Sequence, residues 1–359
     1  MPHSNYYGLI LAGGRGTRFW PRSRRRRAKQ VLEFFGAGTL IQQTVDRLKP
    51  VLPPDRIWVL TNDHLRAEIV RQLPQVPPGQ ILAEPVARNT APAIGLAAHI
   101  LQSINPDATL GVFPADHYIT QPARFLRLVR PAFRAAGRGS LVVIGIRPRR
   151  PETGFGYIEF APGVKPGEPR VVPVLSFREK PDLDSAKQFV EAGHFFWNAG
   201  MFFGRASTFL GALRDHMPRT ATLLAHLPEF RNRRFAAKMR ETFPLCENLS
   251  IDYGVMEKAK NVAGLAADDI GWNDVGSWEA VAELQAGDEQ GNAARAEALF
   301  MDGSRNYVDA PGKLVAMLGV SDLIVVDMPD ALLVADRRQA QKVGKLVELL
   351  ETRHREDLL

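Results

Sequence analysis

Two groups of side chains in this sequence could act on a phosphate: cations around a glycine-rich loop, and two aspartates far apart in the chain. An apolar run, residues 7–12, predicts a buried strand that leads directly into Gly13-Gly14-Arg15-Gly16-Thr17-Arg18. Such a loop brings backbone N–H groups close to a phosphate, and glycine suits it because glycine adopts positive φ and has no Cβ. Taken alone, the loop could equally be an ordinary turn with solvated arginines.

The loop differs from two well-known phosphate-binding patterns. Arg18 stands where a dinucleotide-binding fold has its third glycine, and the loop does not end in the Gly-Lys-Ser/Thr of a P-loop. An arginine can stabilise charge on a triphosphate that is being broken. Arg18 and Lys29 are therefore the cations that we expect to face phosphate, whereas residues 24–27 are interpreted as a solvated face.

The positive charge of the chain is concentrated beside this loop. The 359 residues carry 46 Lys and Arg against 39 Asp and Glu, and residues 15–29 contain eight of those cations and no acid. Without these eight, 38 cations face 39 acids. The excess is not spread along a groove that could follow a polynucleotide. The distribution predicts binding of a small polyanion such as a nucleoside triphosphate, with no nucleic acid.

Asp116 and Asp274 are the predicted metal ligands. Asp116 follows a predicted strand, residues 109–113, so its carboxylate should lie at the edge of the sheet where ligands bind. Asp274 lies in a turn rich in tryptophan and glycine. Two carboxylates that converge would suit Mg²⁺, which shares its ligand shell with phosphates and water. A helix cap and a turn residue are the alternative interpretations, and His117 is interpreted as a neighbour because imidazole suits Mg²⁺ poorly.

The elements that would position these residues predict an α/β fold with a Rossmann-like, mostly parallel sheet. Strand patterns alternate with helical patterns of about 10–15 residues, which is typical of βαβ units. The predicted strands are 7–12, 56–61, 80–83, 109–113 and 140–146, and the predicted helices are 39–48, 63–73, 90–101 and 125–136. Right-handed crossovers would place the loops after these strands at one edge, with the glycine-rich loop, Glu84 and Asp116 together.

The second half of the chain has a different pattern of predicted strands and helices. Residues 154–158 and 171–180 are predicted strands of a smaller, partly antiparallel layer, residues 182–191 a helix, and residues 196–202 a return to the sheet. Residues 290–340 alternate short apolar strands with turns, and residues 337–351 are predicted to be an amphipathic helix. We therefore expect a catalytic domain over residues 1–285, with a nucleotide part to about 147 and a sugar-phosphate part over 148–285. Residues 286–359 would form a small C-terminal β unit with a closing helix.

A series of short motifs resembles the sugar-nucleotide pyrophosphorylases. Residues 11–24, followed by Lys29-Gln30, are similar to the signature of that family, and the Trp20-Pro21-x-Ser23-Arg24 version resembles mannose-1-phosphate guanylyltransferases in particular. Supporting motifs occur in the expected order at residues 84–93, 114–117, 154–158, 177–181, 197–201, 250–257 and 272–278. The family usually has proline where this chain has Ala28, a difference that removes no functional group.

The resemblance implies transfer of GMP from GTP to α-D-mannose 1-phosphate, by in-line attack of the sugar phosphate on the α-phosphorus with release of pyrophosphate. Arg18 and Lys29 would be catalytic, and Mg²⁺ would bind Asp116 and Asp274. The implied nucleotide-binding residues are Leu11, Ala12, Gly13, Gly14, Gly16, Thr17, Glu84, Arg88, Asn89 and Thr90, and the implied sugar-phosphate-binding residues are Gly156, Glu179, Lys180, Asn198 and Asp252.

Glu84 is the candidate for recognition of guanine, because a carboxylate can accept from N1–H and the exocyclic amine. Backbone groups near Leu11 and Ala12 could do the same work. Two other functions stay open: a nucleotidyltransferase for another hexose 1-phosphate or nucleotide, and a non-catalytic, regulatory nucleotide-binding relative. The longer bifunctional form of the family carries an isomerase domain after the transferase, and isomerase activity is not expected of this chain.

Composition predicts a cytoplasmic protein without a membrane segment, and the resemblance implies GTP and mannose 1-phosphate as its partners. The single cysteine, Cys246, excludes an intramolecular disulfide. No apolar run approaches the roughly 18 residues of a membrane span, and the first residues lack a signal-peptide pattern. The apolar C-terminal β unit could bury against a second copy, which would make a homodimer.

Overall fold

The computed structural model describes residues 5–36 and 38–359. In the first three quarters of the chain, strands alternate with helices as the sequence predicts. The strands are β1 (Tyr6–Leu11), β2 (Ile57–Asn62), β3 (Ile81–Glu84), β4 (Thr109–Pro114), β5 (Tyr118–Ile119), β6 (Leu141–Ile146), β7 (Tyr157–Glu159), β8 (Val172–Pro173), β9 (Ser176–Arg178), β10 (Phe195–Arg205), β11 (Val262–Ala267) and β12 (Trp272–Asn273). The helices are α1 (Leu40–Leu48), α2 (Asp63–Gln72), α3 (Thr90–Ile104), α4 (Pro122–Ala136), α5 (Leu183–Ala192), α6 (Ala206–His216), α7 (Pro218–Ala225), α8 (Phe235–Thr242) and α9 (Trp278–Leu284).

The central sheet has the strand order β3-β2-β1-β4-β10-β6-β11-β8 among the described residues. Strands β1 to β4 are parallel, β11 is parallel to β6, and β10 runs antiparallel between β4 and β6. The predicted α/β class with a largely parallel sheet is confirmed. Trp197 of β10 pairs with Ile146 at the carboxyl end of β6. The start of β10 therefore lies at the same edge as the loops that follow β1, β3 and β4.

Helices cover both faces of this sheet, which explains why its strands read as nearly continuous apolar runs. One face packs against α3, α6 and α7, and the other packs against α1, α2 and α4. Every residue of β6 is buried. A separate two-stranded ribbon joins β5 to β12, with Asn273 opposite Tyr118 and Trp272 opposite Ile119.

The C-terminal unit is a short coil of parallel strands, closed by one strand that runs antiparallel to its neighbour. Its elements are β13 (Ala293–Ala294), β14 (Glu297–Met301), β15 (Tyr307–Asp309), β16 (Leu314–Leu318), β17 (Leu323–Met328), β18 (Ala331–Asp336) and α10 (Val343–Thr352). Strands β13, β15 and β17 stack in parallel as one layer, and β14 and β16 form another. At one corner of the coil, buried Asn292 and Asn306 form a ladder: Asn306 donates to Asn292 Oδ1, and the N–H of Leu323 donates to Asn306 Oδ1.

This unit packs directly on the segment that follows the glycine-rich loop. Phe19 and Trp20 share one apolar core with Tyr307, Ile324 and other residues of the C-terminal unit. Ion pairs cross the same contact. They join Arg15 to Glu351, Arg22 to Asp309, Arg24 to Asp330 and Arg25 to Glu356. Several cations that the sequence assigned to a ligand or to solvent thus pair with acids of the C-terminal unit.

Three predicted elements differ from the structure. Of the predicted strand at residues 154–158, only Tyr157 and Ile158 lie in a strand, β7. Residues 171–180 form the short strands β8 and β9, with Leu175 between them, instead of one strand. The reason is that Pro173 cannot donate a ladder hydrogen bond. The closing helix is α-helical only from Val343, and residues Arg337–Lys342 form 3₁₀ turns. Among the described residues, every helix is too short or too polar to cross a bilayer.

Candidate active site

A cavity of about 650 Å³ opens at the edge of the sheet where β1, β3 and β4 end and β10 begins. It brings together most of the predicted site residues from distant parts of the chain. Those that line it are Leu11, Ala12, Gly13, Gly14, Glu84, Asn89, Thr90, Asp116, Gly156, Glu179, Lys180, Asn198, Asp252 and Asp274. Residues predicted for the nucleotide and for the sugar phosphate therefore face one space.

A second cavity, of about 460 Å³, adjoins the first. Gly16, Thr17, Arg18 and Lys29 line this second cavity. Asp116, His117 and Asp274 line both. The predicted catalytic cations are thus separated from the nucleoside and sugar residues by the predicted metal ligands.

Lys29 stands at the boundary between the two cavities. Its side chain is 8% exposed, its Nζ lies 2.9 Å from Asp116 Oδ2, and it donates to the backbone carbonyl of Asp274 at 2.5 Å. Burial pushes the pKa of Asp116 upward, but the Lys29 ammonium and, after it, His117 together more than offset this and hold the pKa below its ordinary value. Burial raises the pKa of Asp274. One ammonium group therefore joins both aspartates.

The β5–β12 ribbon accounts for the meeting of the two aspartates. Pairing of Asn273 with Tyr118 brings residue 274 beside residues 116 and 117. Asn273 Oδ1 accepts the N–H of Val275 at 2.6 Å. Val275 has φ of 48°, an unfavourable value for a β-branched residue. A Cβ at Gly276 would lie 2.8 Å from Asp274 Oδ2, so this turn fixes the carboxylate with little free space around it.

Of the three loop glycines, Gly16 is the one with positive φ, at 63°. A Cβ there would lie 2.7 Å from both the Cβ and the backbone nitrogen of Lys29. The requirement for glycine at position 16 is therefore the close approach of Lys29. The expectation that the whole loop needs positive φ is wrong for Gly13 and Gly14.

Side chains that the sequence did not single out hold the loop carbonyls. Gln30 donates to the carbonyls of Ala12 and Gly14, and Asn62 donates to that of Gly13. In the part of the chain that the structure describes, the N–H groups of Gly13 and Gly14 donate to no protein acceptor. These amides are available to a phosphate. The sequence did contain a signal for Gln30 as a functional residue, because it follows Lys29 in the family signature.

Glu84 has a buried carboxylate oxygen, Oε1, without a protein partner among the described residues. Burial raises the pKa of this carboxyl to about 8. A buried carboxyl that lines a cavity and lacks a partner is costly unless a ligand satisfies it.

The turn before α3 lines the cavity only in part. Asn89 caps the helix through the N–H of Thr90 and has φ of 66° and ψ of −174°, a region that is almost confined to glycine. Thr90 Oγ1 accepts the N–H of Ile251. Arg88 lines neither cavity, and its guanidinium donates to the carbonyl of Pro244. The strained turn directs Asn89 and Arg88 to different sides.

The far wall of the main cavity is rich in groups that bind hydroxyls. Asn198 Nδ2 donates to Asp252 Oδ1 at 2.8 Å, and Asp252 begins a π-helical turn, a feature often found at functional sites. Burial, followed by the charge of Asp252, raises the pKa of Glu179 to about 7. Gly156 leaves the room that the Glu179 carboxylate occupies, since a Cβ there would collide with Oε2.

Trp272 and His117 form a hydrogen-bonded aromatic pair in the wall of the main cavity. The indole N–H of Trp272 donates to His117 Nδ1 at 3.1 Å, and both side chains line the main cavity. Burial lowers the pKa of His117 to about 4. Trp272 therefore contacts the space that a ligand would fill. Asn248 also lines the cavity without any signal in the sequence.

A reaction that joins two anionic substrates needs groups that position them, cations that balance their charge and exposed backbone amides that bind phosphate. It needs no activated nucleophile from the protein. The paired cavities offer that chemistry at the ligand edge of a Rossmann-like sheet. Fold and site together define a nucleotidyltransferase.

Comparisons with known proteins agree with this class. The family described as nucleotidyl transferase matches residues 7–291, and the mannose-phosphate isomerase/GMP-like β-helix domain matches residues 296–350. A mannose-1-phosphate guanylyltransferase from Klebsiella pneumoniae is 38% identical over 97% of this chain and 74% of its own length. The alginate biosynthesis protein AlgA from Pseudomonas aeruginosa is 38% identical over 97% of this chain and 73% of its own.

A solved structure extends the likeness to three dimensions. The crystal structure of a protein named mannose-1-phosphate geranyltransferase, from Thermus thermophilus, has a TM-score of 0.84 and 34% identity. The match covers 97% of this chain and 99% of that one. The chain belongs to the mannose-1-phosphate guanylyltransferase family, and it spans about three quarters of the length of the curated relatives named above.

Proposed function

We propose that this protein transfers GMP from GTP to α-D-mannose 1-phosphate and releases pyrophosphate. The observation that carries the proposal is that Asp116 and Asp274 line both cavities, while Lys29, which lines the second cavity, contacts both of these residues. The nucleoside and the sugar phosphate would occupy the main cavity, and the β- and γ-phosphates would extend into the second. The α-phosphorus would then lie at the boundary, where charge develops in the transition state.

This arrangement supports in-line displacement. The sugar phosphate attacks from the side of Asn198 and Glu179, and pyrophosphate leaves toward Arg18. The attacking oxygen is already anionic, so the site needs no general base. Lys29 and Arg18 would stabilise charge on the transferring and leaving phosphoryl groups. We also propose that the catalytic domain has a nucleotide part up to about residue 147 and a sugar-phosphate part over 148–285.

The residues present fit a magnesium ion. Asp116 and Asp274 offer carboxylate oxygens at the boundary, the ligand type that Mg²⁺ prefers, and leave further positions to phosphates and water. When bound, the ion neutralises phosphoryl oxygens and helps to orient them. In the metal-free protein, the Lys29 ammonium balances the charge of Asp116.

Glu84 is proposed to recognise guanine. Its unpartnered Oε1 and raised pKa are explained if N1–H and the exocyclic amine of the base satisfy an ionised carboxylate. Adenine lacks these two donors on the corresponding edge. The Leu11 and Ala12 backbone, which lines the same cavity, would contact the base as well.

Replacing Glu84 by glutamine is expected to raise the KM for GTP about 10- to 100-fold, because the amide presents a donor to a donor. For the unchanged protein, the KM for GTP should fall as the pH rises from about 6.5 toward the pKa near 8, since the carboxyl must lose its proton to accept both bonds. It should level off above that pH, and Glu84→Gln should abolish this dependence. Initial-rate kinetics across the pH range measure both effects.

Glu168→Gln is the control for this substitution, because Glu168 is exposed and lies outside both cavities. It should keep the KM of the unchanged protein. An unaltered KM and an unaltered preference for GTP over ATP in Glu84→Gln would assign guanine recognition to the backbone near Leu11.

The proposed reaction is tested by a substrate panel. Purified protein is supplied with GTP, ATP, UTP or dTTP, each with mannose, glucose or galactose 1-phosphate and Mg²⁺, and pyrophosphate release is measured. Highest kcat/KM for GTP with mannose 1-phosphate is the expected result. Preference for another pair would assign a different nucleotidyltransferase, and no release with any pair would support the non-catalytic relative.

A homodimer is proposed through the outer face of β14 and β16. Leu299, Met301, Leu314 and Leu318 lie on this face and are 55–68% exposed. An apolar patch of this kind marks an interaction site, and a second copy of the coil would cover it. Leu318→Lys should shift sedimentation velocity from dimer to monomer, whereas Leu183→Lys on α5 should leave it unchanged. A monomer before any substitution contradicts the proposal.

The single reduced cysteine and the phosphorylated substrates support a cytoplasmic location.

A further inference from the structure

The closing helix α10 contributes one wall of the second cavity. Gly344, Val347, Glu348 and Glu351 line this wall, opposite Arg15 and Arg18. The C-terminal unit therefore reaches the space that the proposed function assigns to the leaving pyrophosphate. The inference below rests on that proposed function.

Two acids on this wall oppose the binding of a polyanion. The second cavity is lined by the cations Arg15, Arg18 and Lys29, but also by Asp116, Asp274 and the two glutamates of α10. The negative charges of Asp116 and Asp274 are balanced by Lys29 and by the proposed metal ion. Glu348 and Glu351 bind no metal in the proposed function, and they add negative charge to the cavity that would hold the pyrophosphate product.

Arg15 is already paired with one of these acids. Its guanidinium donates to Glu351 Oε1, and the side chains of the two residues are 55% and 34% exposed. This hydrogen bond lowers the pKa of Glu351, which keeps the carboxylate ionised. Exposed ion pairs of this kind contribute little to stability, so a phosphate can take the place of the carboxylate.

We propose that Glu351 sets the affinity of the site for pyrophosphate. In the empty site Glu351 holds Arg15, and the β- and γ-phosphates of the substrate take Arg15 from it. After transfer, Glu351 recovers Arg15, and together with Glu348 it repels the product. No covalent bond is made or broken in this exchange of hydrogen-bond partners. Glu351 acts on the reaction through Arg15, as a positioning residue.

The test compares Glu351→Gln with a matched control on the same segment. Glu356 pairs with Arg25, which belongs to the same cationic run, but Glu356 lies outside the second cavity. With Mg²⁺ present, Glu351→Gln should bind pyrophosphate about fivefold to tenfold more tightly in titration calorimetry, and the inhibition constant of pyrophosphate should fall equally. Glu356→Gln should match the unchanged protein in both.

A double-mutant cycle separates the exchange of partners from simple repulsion. Arg15→Gln alone should weaken pyrophosphate binding, and in that background Glu351→Gln should lose most of its effect. A structural role of the ion pair would change thermal stability without changing pyrophosphate affinity. Equal affinity in Glu351→Gln and the unchanged protein, or an equal gain in Glu356→Gln, overturns the inference.

These outcomes are distinct from failure of the proposed function. Pyrophosphate titration needs no turnover, so it tests Glu351 even if the substrate panel assigns another reaction. Absence of pyrophosphate binding to the unchanged protein, together with normal GMP transfer, would place the leaving group elsewhere and would refute the inference alone.

Discussion

Replacing Asp116 by asparagine is expected to lower kcat for GMP transfer about 10³-fold or more, the scale of losing a charge that organises phosphoryl transfer. Asparagine keeps the shape of the side chain but removes the negative charge that would bind Mg²⁺. It also removes the carboxylate that meets Lys29 Nζ at 2.9 Å. Pyrophosphate release over a range of Mg²⁺ concentrations measures the loss, and added Mg²⁺ should not restore the rate.

Two further measurements show whether the loss concerns the metal. Mn²⁺ binding, followed by electron paramagnetic resonance, should weaken in Asp116→Asn, while circular dichroism should show the same fold. Asp55→Asn is the control, because Asp55 is an exposed aspartate outside both cavities. A rate within about threefold of the unchanged protein would remove Asp116 from the metal site.

Lys29→Met is expected to reduce kcat/KM about 10²- to 10³-fold, because methionine fills the space of the lysine stem without its charge. The ammonium is buried at the boundary of the two cavities, where a developing phosphoryl charge would lie. Its loss should also raise the pKa of Asp116, since Lys29 holds that pKa down. The acidic limb of the pH–rate profile should therefore move to higher pH.

The control for this change is Lys49→Met, at the exposed end of α1, where Nζ pairs with Asp46. It should keep full activity. Thermal unfolding of Lys29→Met should show some destabilisation in the absence of Mg²⁺, because Asp116 loses its counter-ion, and Mg²⁺ should restore part of it. Activity within about threefold of the unchanged protein, with a normal pH profile, would contradict a catalytic Lys29.

The sequence predicted the fold of the first half well because local pattern determines element type. Side chains that are apolar on both faces of a strand mark a buried parallel sheet, and helical periodicity marks the crossovers. Once those crossovers are right-handed, the loops after β1, β3 and β4 must share one edge. Nearness of the glycine-rich loop, Glu84 and Asp116 followed from this rule, and family membership followed from the ordered motifs.

The errors occurred where side chains could choose between partners of similar chemistry. Arg88 had the right charge for a nucleotide, but in the folded chain it donates to Pro244. Residues 24–27 were interpreted as a solvated face, but Arg24 pairs with Asp330, 306 residues away in the chain. Charge alone does not say which anion a guanidinium will meet.

By itself, the sequence determined the class of fold, the edge at which ligands bind and the chemical groups available there. Tertiary structure decided which of those groups meet. The β5–β12 ribbon brings Asp274 to Asp116, and packing of the C-terminal coil on Phe19 and Trp20 brings α10 to the second cavity. Periodicity and turn chemistry are properties of neighbouring residues, whereas these contacts join residues far apart in the chain and depend on how whole elements pack.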